Sequence, residues 1–272
     1  MLMRRISSLG EKISTMHLQS IPPCPPEEFL AYVEQYPQES IHILVQPFNQ
    51  YEEQLRAMFA QDFLTPNLTR NLIDIFALGN PGRVRFRRSL EDPEKYLCHR
   101  LPNPEPDGAE AIVQSLTQFR TNFDAFTDSA FVSFSESDWS NIVVAGGSVT
   151  MCLQKKLAQV EEKEMGHGQK MHNNHYLKVA PDSDIDIFIY GIQDENLAVN
   201  RIMQLEKKLH RVGSTRVVRT RNAITFVSDH QQRQIQIILR LYGSVSELIM
   251  GFDVNCCCFA YNGYTVLGSP RG

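Results

Sequence analysis

The sequence predicts an α+β fold: a mixed sheet with flanking helices, preceded by a mostly helical N-terminal region. Three observations carry this. Apolar residues recur at helical spacing through most of residues 27–130. Short runs of strand character gather after residue 140. One of those runs, Pro181 to Gly191, alternates Asp182, Asp184 and Asp186 with strand-forming isoleucines.

Bulk composition narrows the classes. The chain has 272 residues, 42% hydrophobic and 21% charged, ordinary for a globular protein with a substantial core. No run approaches the ~18 apolar residues that cross a membrane. A net charge of −4, with pI about 6.1, argues against a general electrostatic grip on nucleic acid. The six cysteines (Cys24, Cys98, Cys152 and the run Cys256 to Cys258) lack metal-site spacing. They read as small buried hydrophobes of a reducing compartment, so the protein is expected to be intracellular, in cytoplasm or nucleus. Met1 to Ser20 carries Arg4, Arg5, Lys12 and several serines, and reads as a mobile tail sooner than as a mitochondrial leader. Residues 1–26 are assigned to this tail, which ends in the proline-rich IPPCPP.

Residues 27–130 form the helical region. Phe29, Leu30, Val33 and Tyr36 predict a helix from Glu27 to Tyr36, ending before Pro37. Leu55, Met58, Phe59 and Phe63 predict a second over Tyr51 to Phe63, and Leu68, Leu72, Ile75 and Phe76 a third over Asn67 to Leu78. Arg83, Arg85, Arg87 and Arg88 alternate with Val84 and Phe86 but are followed by Glu91, Asp92 and Glu94, which favours a solvated face. After a proline-rich linker, Asp107 with Glu110 three residues on is expected to cap a helix running to Phe126, with Ile112, Leu116, Phe119, Phe123 and Phe126 inward.

Residues 131–272 carry the chemistry. Asn141 to Ala145 is a buried-strand pattern, followed at once by Gly146, Gly147 and Ser148 and then by a helix from Val149 to Met165. Glycines let backbone approach a phosphate, a serine adds a hydroxyl, and a helix start presents free N–H groups. His167, His172 and His175 sit among Gly, Asn, Gln and Lys and read as a surface loop. In the acidic strand, residues two apart point the same way, so Asp184 and Asp186 share a face. Like charges so placed repel, and a hard divalent cation relieves them. A solvated acidic edge strand is the plainer reading of this stretch alone.

Asp194 to Val212 follows as an amphipathic helix with Leu197, Ile202, Leu205 and Leu209 inward. Arg216 to Val227 and Arg233 to Tyr242 read as an antiparallel strand pair. Ser244 to Glu247 is a capping box for a short helix ending at Gly251. Asp253 is expected at the start of a buried run that becomes a strand through Phe259 to Tyr261, turning at Asn262 and Gly263.

Gly-Gly-Ser opening a helix, Asp-Ile-Asp in a strand, and a later Asp resemble the polymerase β-type nucleotidyltransferase superfamily. More narrowly, residues 51–263 are similar to an uncharacterised, largely fungal nucleotidyltransferase-like family, through Trp139 to Ser148, Ser183 to Gly191 and Gly251 to Cys258. The resemblance implies a nucleotidyltransferase-type sheet and Mg²⁺- or Mn²⁺-dependent transfer of a nucleoside monophosphate from an NTP such as ATP to a hydroxyl acceptor, releasing pyrophosphate. The acceptor could be a protein, an RNA end or a small molecule. Gly147 and Ser148 would hold the β/γ phosphates. Asp184 and Asp186 would bind two metal ions, and Asp253 would complete one metal site and help deprotonate the acceptor. The chain departs from the pattern in a long insertion between Ser148 and Asp184, in Asn255 where relatives often carry an acid, and in ending at Gly272. Related enzymes commonly continue into a helical lobe, so either the N-terminal helices replace it or the chain is a shortened form. The alternative expectation is a catalytically silent nucleotidyltransferase-fold module for nucleotide binding or protein interaction.

Overall fold

A computed structural model describes residues 21–60, 71–77, 79–86, 108–155, 176, 180–181, 183–209, 215–228 and 233–272. The N-terminal tail before residue 21, the Asp107 cap, Asp182 and the three loop histidines lie outside the described residues. So do Leu157 and Val160, expected on the helix after Ser148. The architecture is α+β, with one eight-stranded mixed sheet and helices packed on both faces.

The N-terminal helices follow the periodicity in part. A 3₁₀ turn, Pro26–Glu28, leads into α1, Phe29–Gln35, as expected. Helix α2, Ile41–Phe59, begins ten residues earlier than its apolar spacing suggests. Ser40 caps it by accepting from the His42 amide, and Pro47 is tolerated inside it. The helix expected over Asn67 to Leu78 is not formed at its described end. Ile73–Asp74 is instead β1, an edge strand antiparallel to β8, Val266–Gly268. Ile73 and Ile75 are both buried, a period of two that marks a strand.

The short α3, Asn80–Arg83, follows, with Arg83 exposed and ion-paired to Glu34 at 3.6 Å. The helix expected from Asp107 starts only at Leu116. Residues before it run extended, since the amides of Phe86, Ala111 and Val113 donate to the carbonyls of Ala109, Val84 and Leu153. Ser115 is the true cap of α4, Leu116–Phe126, accepting from the Gln118 amide at 3.2 Å. The inward face is as predicted from there on: Phe119, Phe123 and Phe126 are buried, each contributing about 2–3 kcal/mol.

Asp138 in α5, Glu136–Trp139, ties this region to the sheet domain. Its Oδ2 accepts from the Ser135 amide at 2.7 Å, the Ser135 hydroxyl at 2.6 Å and Lys208 Nζ at 2.9 Å. Burial alone would raise its pKa, but these donors outweigh it and hold the carboxyl at about 2. A depressed acid stabilises the fold above its unfolded value and loses that contribution as pH falls toward the folded value. Asp138→Ala is therefore expected to lower stability by about 2 kcal/mol at pH 7. The difference from wild type should shrink between roughly pH 4 and pH 2, as read from urea midpoints at each pH.

In the sheet the strands run β1-β8-β7-β2-β3-β6-β5-β4. These are β2, Ile142–Ala145; β3, Ile185–Tyr190; β4, Thr215–Arg219; β5, Ala223–Ser228; β6, Ile235–Tyr242; and β7, Phe259–Tyr261. Among the described residues, only β3 and β6 pair in parallel. The run Arg216 to Val227, expected as one strand, folds back on itself at Thr220, whose hydroxyl accepts from the Asn222 and Ala223 amides. The result is a β4–β5 hairpin, and β5 and β6 form the expected antiparallel pair.

Two helices follow strands of the sheet. Helix α6, Gly147–Leu153, ends where Gln154 turns extended and bridges Ile112, and the expected continuation from residue 156 to Met165 lies outside the described residues. Helix α7, Glu195–Leu209, buries Leu205 and Leu209 as expected, but Ala198 is buried in place of Leu197, which is 60% exposed.

Alternation sorts the core. Ile142, Val144, Ile185, Ile187, Ile189 and Ile237 face one side, against the α4 phenylalanines, α6 and α7. Val143, Ala145, Phe188 and Ala260 face the other, against α8, Val245–Met250. Ser244 caps α8 by accepting from the Glu247 amide at 3.1 Å, while the Glu247 carboxylate accepts from the Gly243 amide at 2.6 Å. The β7–β8 turn falls at Asn262 and Gly263 as expected. Gly263 has φ +90, and a Cβ there would lie 2.3 Å from the Trp139 ring, so this position admits only glycine.

Candidate carboxylate site

Registers across the sheet place one row of residues side by side. Ala145 of β2 is opposite Asp186 of β3, Asp186 opposite Gln236 of β6, and Gln236 opposite Thr225 of β5. Strand alternation puts this row on the α8 face, with Phe188 one pair further along under α8. Asp184 precedes β3 on the same face.

The two aspartates are electrostatically coupled. Burial, and then the charge of Asp184, push the Asp186 carboxyl up to about 6. Both are half-buried. Gln236 Nε2 donates to Asp184 Oδ2 at 2.6 Å. From two residues before β6, Arg233 Nη1 donates to the Ser183 carbonyl at 3.0 Å and also to the Ala180 carbonyl. Its guanidinium lies 4.1 Å from the Phe126 ring centroid. Burial lowers the Arg233 pKa, while Cys152, Tyr176 and Asp184 oppose that fall. Arg233 thus fixes the backbone just ahead of Asp184 and places positive charge behind it.

Strand β2 ends at Ala145, beside Asp186, and the glycine turn leaves the sheet there. Gly146 sits at φ 95, ψ −151, a conformation open to glycine, and its amide donates to the Phe259 carbonyl at 3.0 Å. Gly147 keeps some surface. Ser148 is 1% exposed, and its hydroxyl has no hydrogen-bond partner among the described residues. A buried hydroxyl left so costs about 1–3 kcal/mol. Asp186 is paired with Ala145, the last residue before this turn, and an orphaned hydroxyl three residues further along the chain suits a site built for an oxyanion.

Asp253 stands elsewhere. It is exposed, in the bend before the 3₁₀ turn Asn255–Cys257, and β7 begins only at Phe259. The buried run expected at Asp253 therefore starts at Cys258. Among the described residues no three of His, Cys, Asp and Glu form a group able to hold a metal ion, so Asp184 and Asp186 stand as a pair without Asp253. Cys24, Cys152, Cys256, Cys257 and Cys258 are unpaired thiols, and burial raises the Cys152 and Cys258 pKa values. No helix among the described residues is long and apolar enough to cross a membrane.

Residues 117–271, spanning α4 through β8 and containing the whole carboxylate row, match the family described as Gabija anti-defense 2 family protein. That is more than half of the chain. The chain belongs to the Gabija anti-defense 2 family. A curated relative, uncharacterized protein R883 of Acanthamoeba polyphaga mimivirus, is 25% identical over 183 residues, which is 61% of this chain and 34% of that protein. The chain thus matches about a third of that relative's length. No solved structure matches.

In this family member, residues that sequence reasoning missed support the carboxylates. Gln236 carried a legible signal: Ile235-Gln236-Ile237 repeats the apolar–polar–apolar pattern of Ile185-Asp186-Ile187. Arg233 carried none, because its contacts are to backbone carbonyls some fifty residues away. Lys155 pairs with Glu110 at the edge of a cavity of about 560 Å³. Phe86, Ile112, Leu153 and Phe259 give that cavity apolar walls, and neither aspartate of the pair lines it. Arg240 pairs with Glu247 at 3.6 Å and stacks over Tyr242, as a surface strand arginine would.

Proposed function

We propose that this protein is a metal-dependent nucleotidyltransferase, moving a nucleoside monophosphate from an NTP to a hydroxyl acceptor. The observation that supports the proposal is the charge coupling of Asp184 to Asp186, with Asp186 in register with Ala145, the residue that precedes the Gly146–Ser148 turn. Asp184 and Asp186 would hold Mg²⁺ or Mn²⁺, which neutralises phosphate charge when bound. Gly147 and Ser148 would receive the β/γ phosphates. The acceptor oxygen bonds to the α-phosphorus as the bond to the bridging oxygen breaks. Pyrophosphate leaves with that electron pair, and the acceptor proton passes to solvent. The chain's own contribution is mostly placement: Arg233 and Gln236 hold the Asp184 segment, and the glycine turn holds the phosphates close to it.

The family name supplies the setting. We extend to this chain the countering of Gabija that the name states, with nucleotide transfer as its chemical means. One observation favours a second reading: Gln236, a neutral amide, faces Asp186 across the sheet where a further carboxylate would strengthen a metal site. That suits a silent module which binds nucleotide without turnover.

The test is incubation of the chain with each labelled NTP and Mg²⁺ or Mn²⁺, offering protein, RNA and small-molecule acceptors. Label should transfer with wild type and not with Asp184→Ala/Asp186→Ala. Transfer that survives the double change would sink the assigned site. No transfer, together with thermal stabilisation by NTP and Mg²⁺, would select the silent module.

A further inference from the structure

We propose that Gln236 is the positioning residue of the carboxylate pair and that its neutral amide limits the site to a single divalent cation. The inference rests on the metal-binding reading of Asp184 and Asp186.

Three observations converge on Gln236. It is opposite Asp186 in the parallel β3–β6 register, so its side chain rises on the carboxylate face one strand away. Its amide nitrogen donates to Asp184 Oδ2 at 2.6 Å, a short bond to a charged acceptor. It is half-buried, and Ile238, next on the same face, packs with the α8 cluster. Gln236 therefore sits at the border between the apolar core of that face and the carboxylates, where Gln234, one pair outward, is exposed.

The amide satisfies one Asp184 oxygen and fixes the orientation of that carboxylate. It adds no charge. Two carboxylates with water and substrate oxygens are a sufficient set for one Mg²⁺ or Mn²⁺. Holding two ions about 3.5–4 Å apart calls for more negative charge than this pair offers, since the ions repel each other. The third position that could supply it is occupied by Gln236, and no third acid joins the pair among the described residues. An outer residue that orients a ligating carboxylate commonly changes metal affinity 10- to 100-fold when removed. Gln236 has the bond for that role.

The test is Mn²⁺ binding to the full chain without nucleotide, by calorimetry and by the electron paramagnetic resonance signal of free Mn²⁺. Wild type should bind one Mn²⁺ per chain. Gln236→Leu, similar in volume but without the donor, should weaken binding roughly 10- to 100-fold. Gln236→Glu, which places a third carboxylate at the same position, should bind two. Packing alone would not change stoichiometry. Two ions in wild type, or unchanged affinity in Gln236→Leu together with unchanged stoichiometry in Gln236→Glu, would overturn the inference. If Asp184→Ala/Asp186→Ala still abolishes binding in that case, the metal-binding reading stands and the role of Gln236 alone is rejected. No Mn²⁺ bound by wild type would reject both.

Discussion

Arg271→Ala is expected to lower unfolding stability by about 3–5 kcal/mol, the cost of stranding one member of a buried ion pair. Arg271 Nε lies 2.7 Å from Glu52 Oε2 on α2, with side-chain exposures of only 5% and 3%. The same guanidinium donates to the Ile249 carbonyl at 3.1 Å, the Phe252 carbonyl at 2.7 Å and Asn255 Oδ1 at 3.1 Å. One side chain therefore binds helix α2 to α8 and to the stretch that follows it. Burial raises the Glu52 pKa, and Arg271 is the first of the groups that oppose the rise. Once Arg271 is gone, that carboxyl is expected to fold as the neutral acid, and three backbone and side-chain acceptors lose their donor. Glu52→Ala should cost a similar amount. The double variant should cost less than the sum of the two, because neither charge is then left alone. Urea unfolding of the three variants measures this. A loss below about 1 kcal/mol for Arg271→Ala would show that water replaces the guanidinium, and so that the pair is not sealed.

That contact also explains part of what the sequence concealed. Glu52 and Arg271 are 219 positions apart, and nothing in either local pattern links them. The buried run expected to start at Asp253 starts later, at Cys258, for the same reason. The residues around Asp253 look like the approach to a strand, but the carbonyls of Ile249 and Phe252 are held by Arg271, and the backbone bends into a 3₁₀ turn before β7. Strands β2, β3 and β6 were legible because each has strict alternation or an unbroken apolar run flanked by turn residues. The β4–β5 reversal was not, since Thr220-Arg221-Asn222 holds no glycine or proline and is closed by a threonine hydroxyl. Helix α4 was assigned too early because its true cap, Ser115, competes in sequence with Asp107. Only the pairing of residues 109–113 with distant backbone decides between them. In the site, Asp184, Asp186 and the glycine turn could be read from local chemistry. The local alternation around Gln236 was legible too, but its place beside Asp186, like the role of Arg233, depends on which strand becomes the parallel neighbour of β3, a property of the whole sheet.

Asp186→Asn is expected to abolish transfer while making the metal-free protein more stable, by about 1–2 kcal/mol at pH 7. Asp186 is an acid whose folded pKa, about 6, is raised above the 3.8 of an unperturbed aspartate, by burial first and by Asp184 second. A shift of about 2 units corresponds to roughly 3 kcal/mol at full strength, and partial exposure reduces it. The sign follows from proton binding. Between these values the folded state holds the proton that the unfolded state has released, so stability falls as pH rises. In chelator, wild-type stability should therefore decline from about pH 4 to about pH 6 and then level off. Over the same window Asp186→Asn should lack this component. Mg²⁺ should restore wild type at pH 7 and leave the variant unchanged, because the ion stabilises the ionised pair. The comparison separates a built cation site from acidic decoration: two solvated surface carboxylates would show neither the decline nor the rescue. Urea midpoints across pH, with and without Mg²⁺, read it directly. Equal metal-free stability of wild type and Asp186→Asn at pH 7 would mean that ionised Asp186 carries no cost from burial or from Asp184, and the cation would lose its physical reason to bind there.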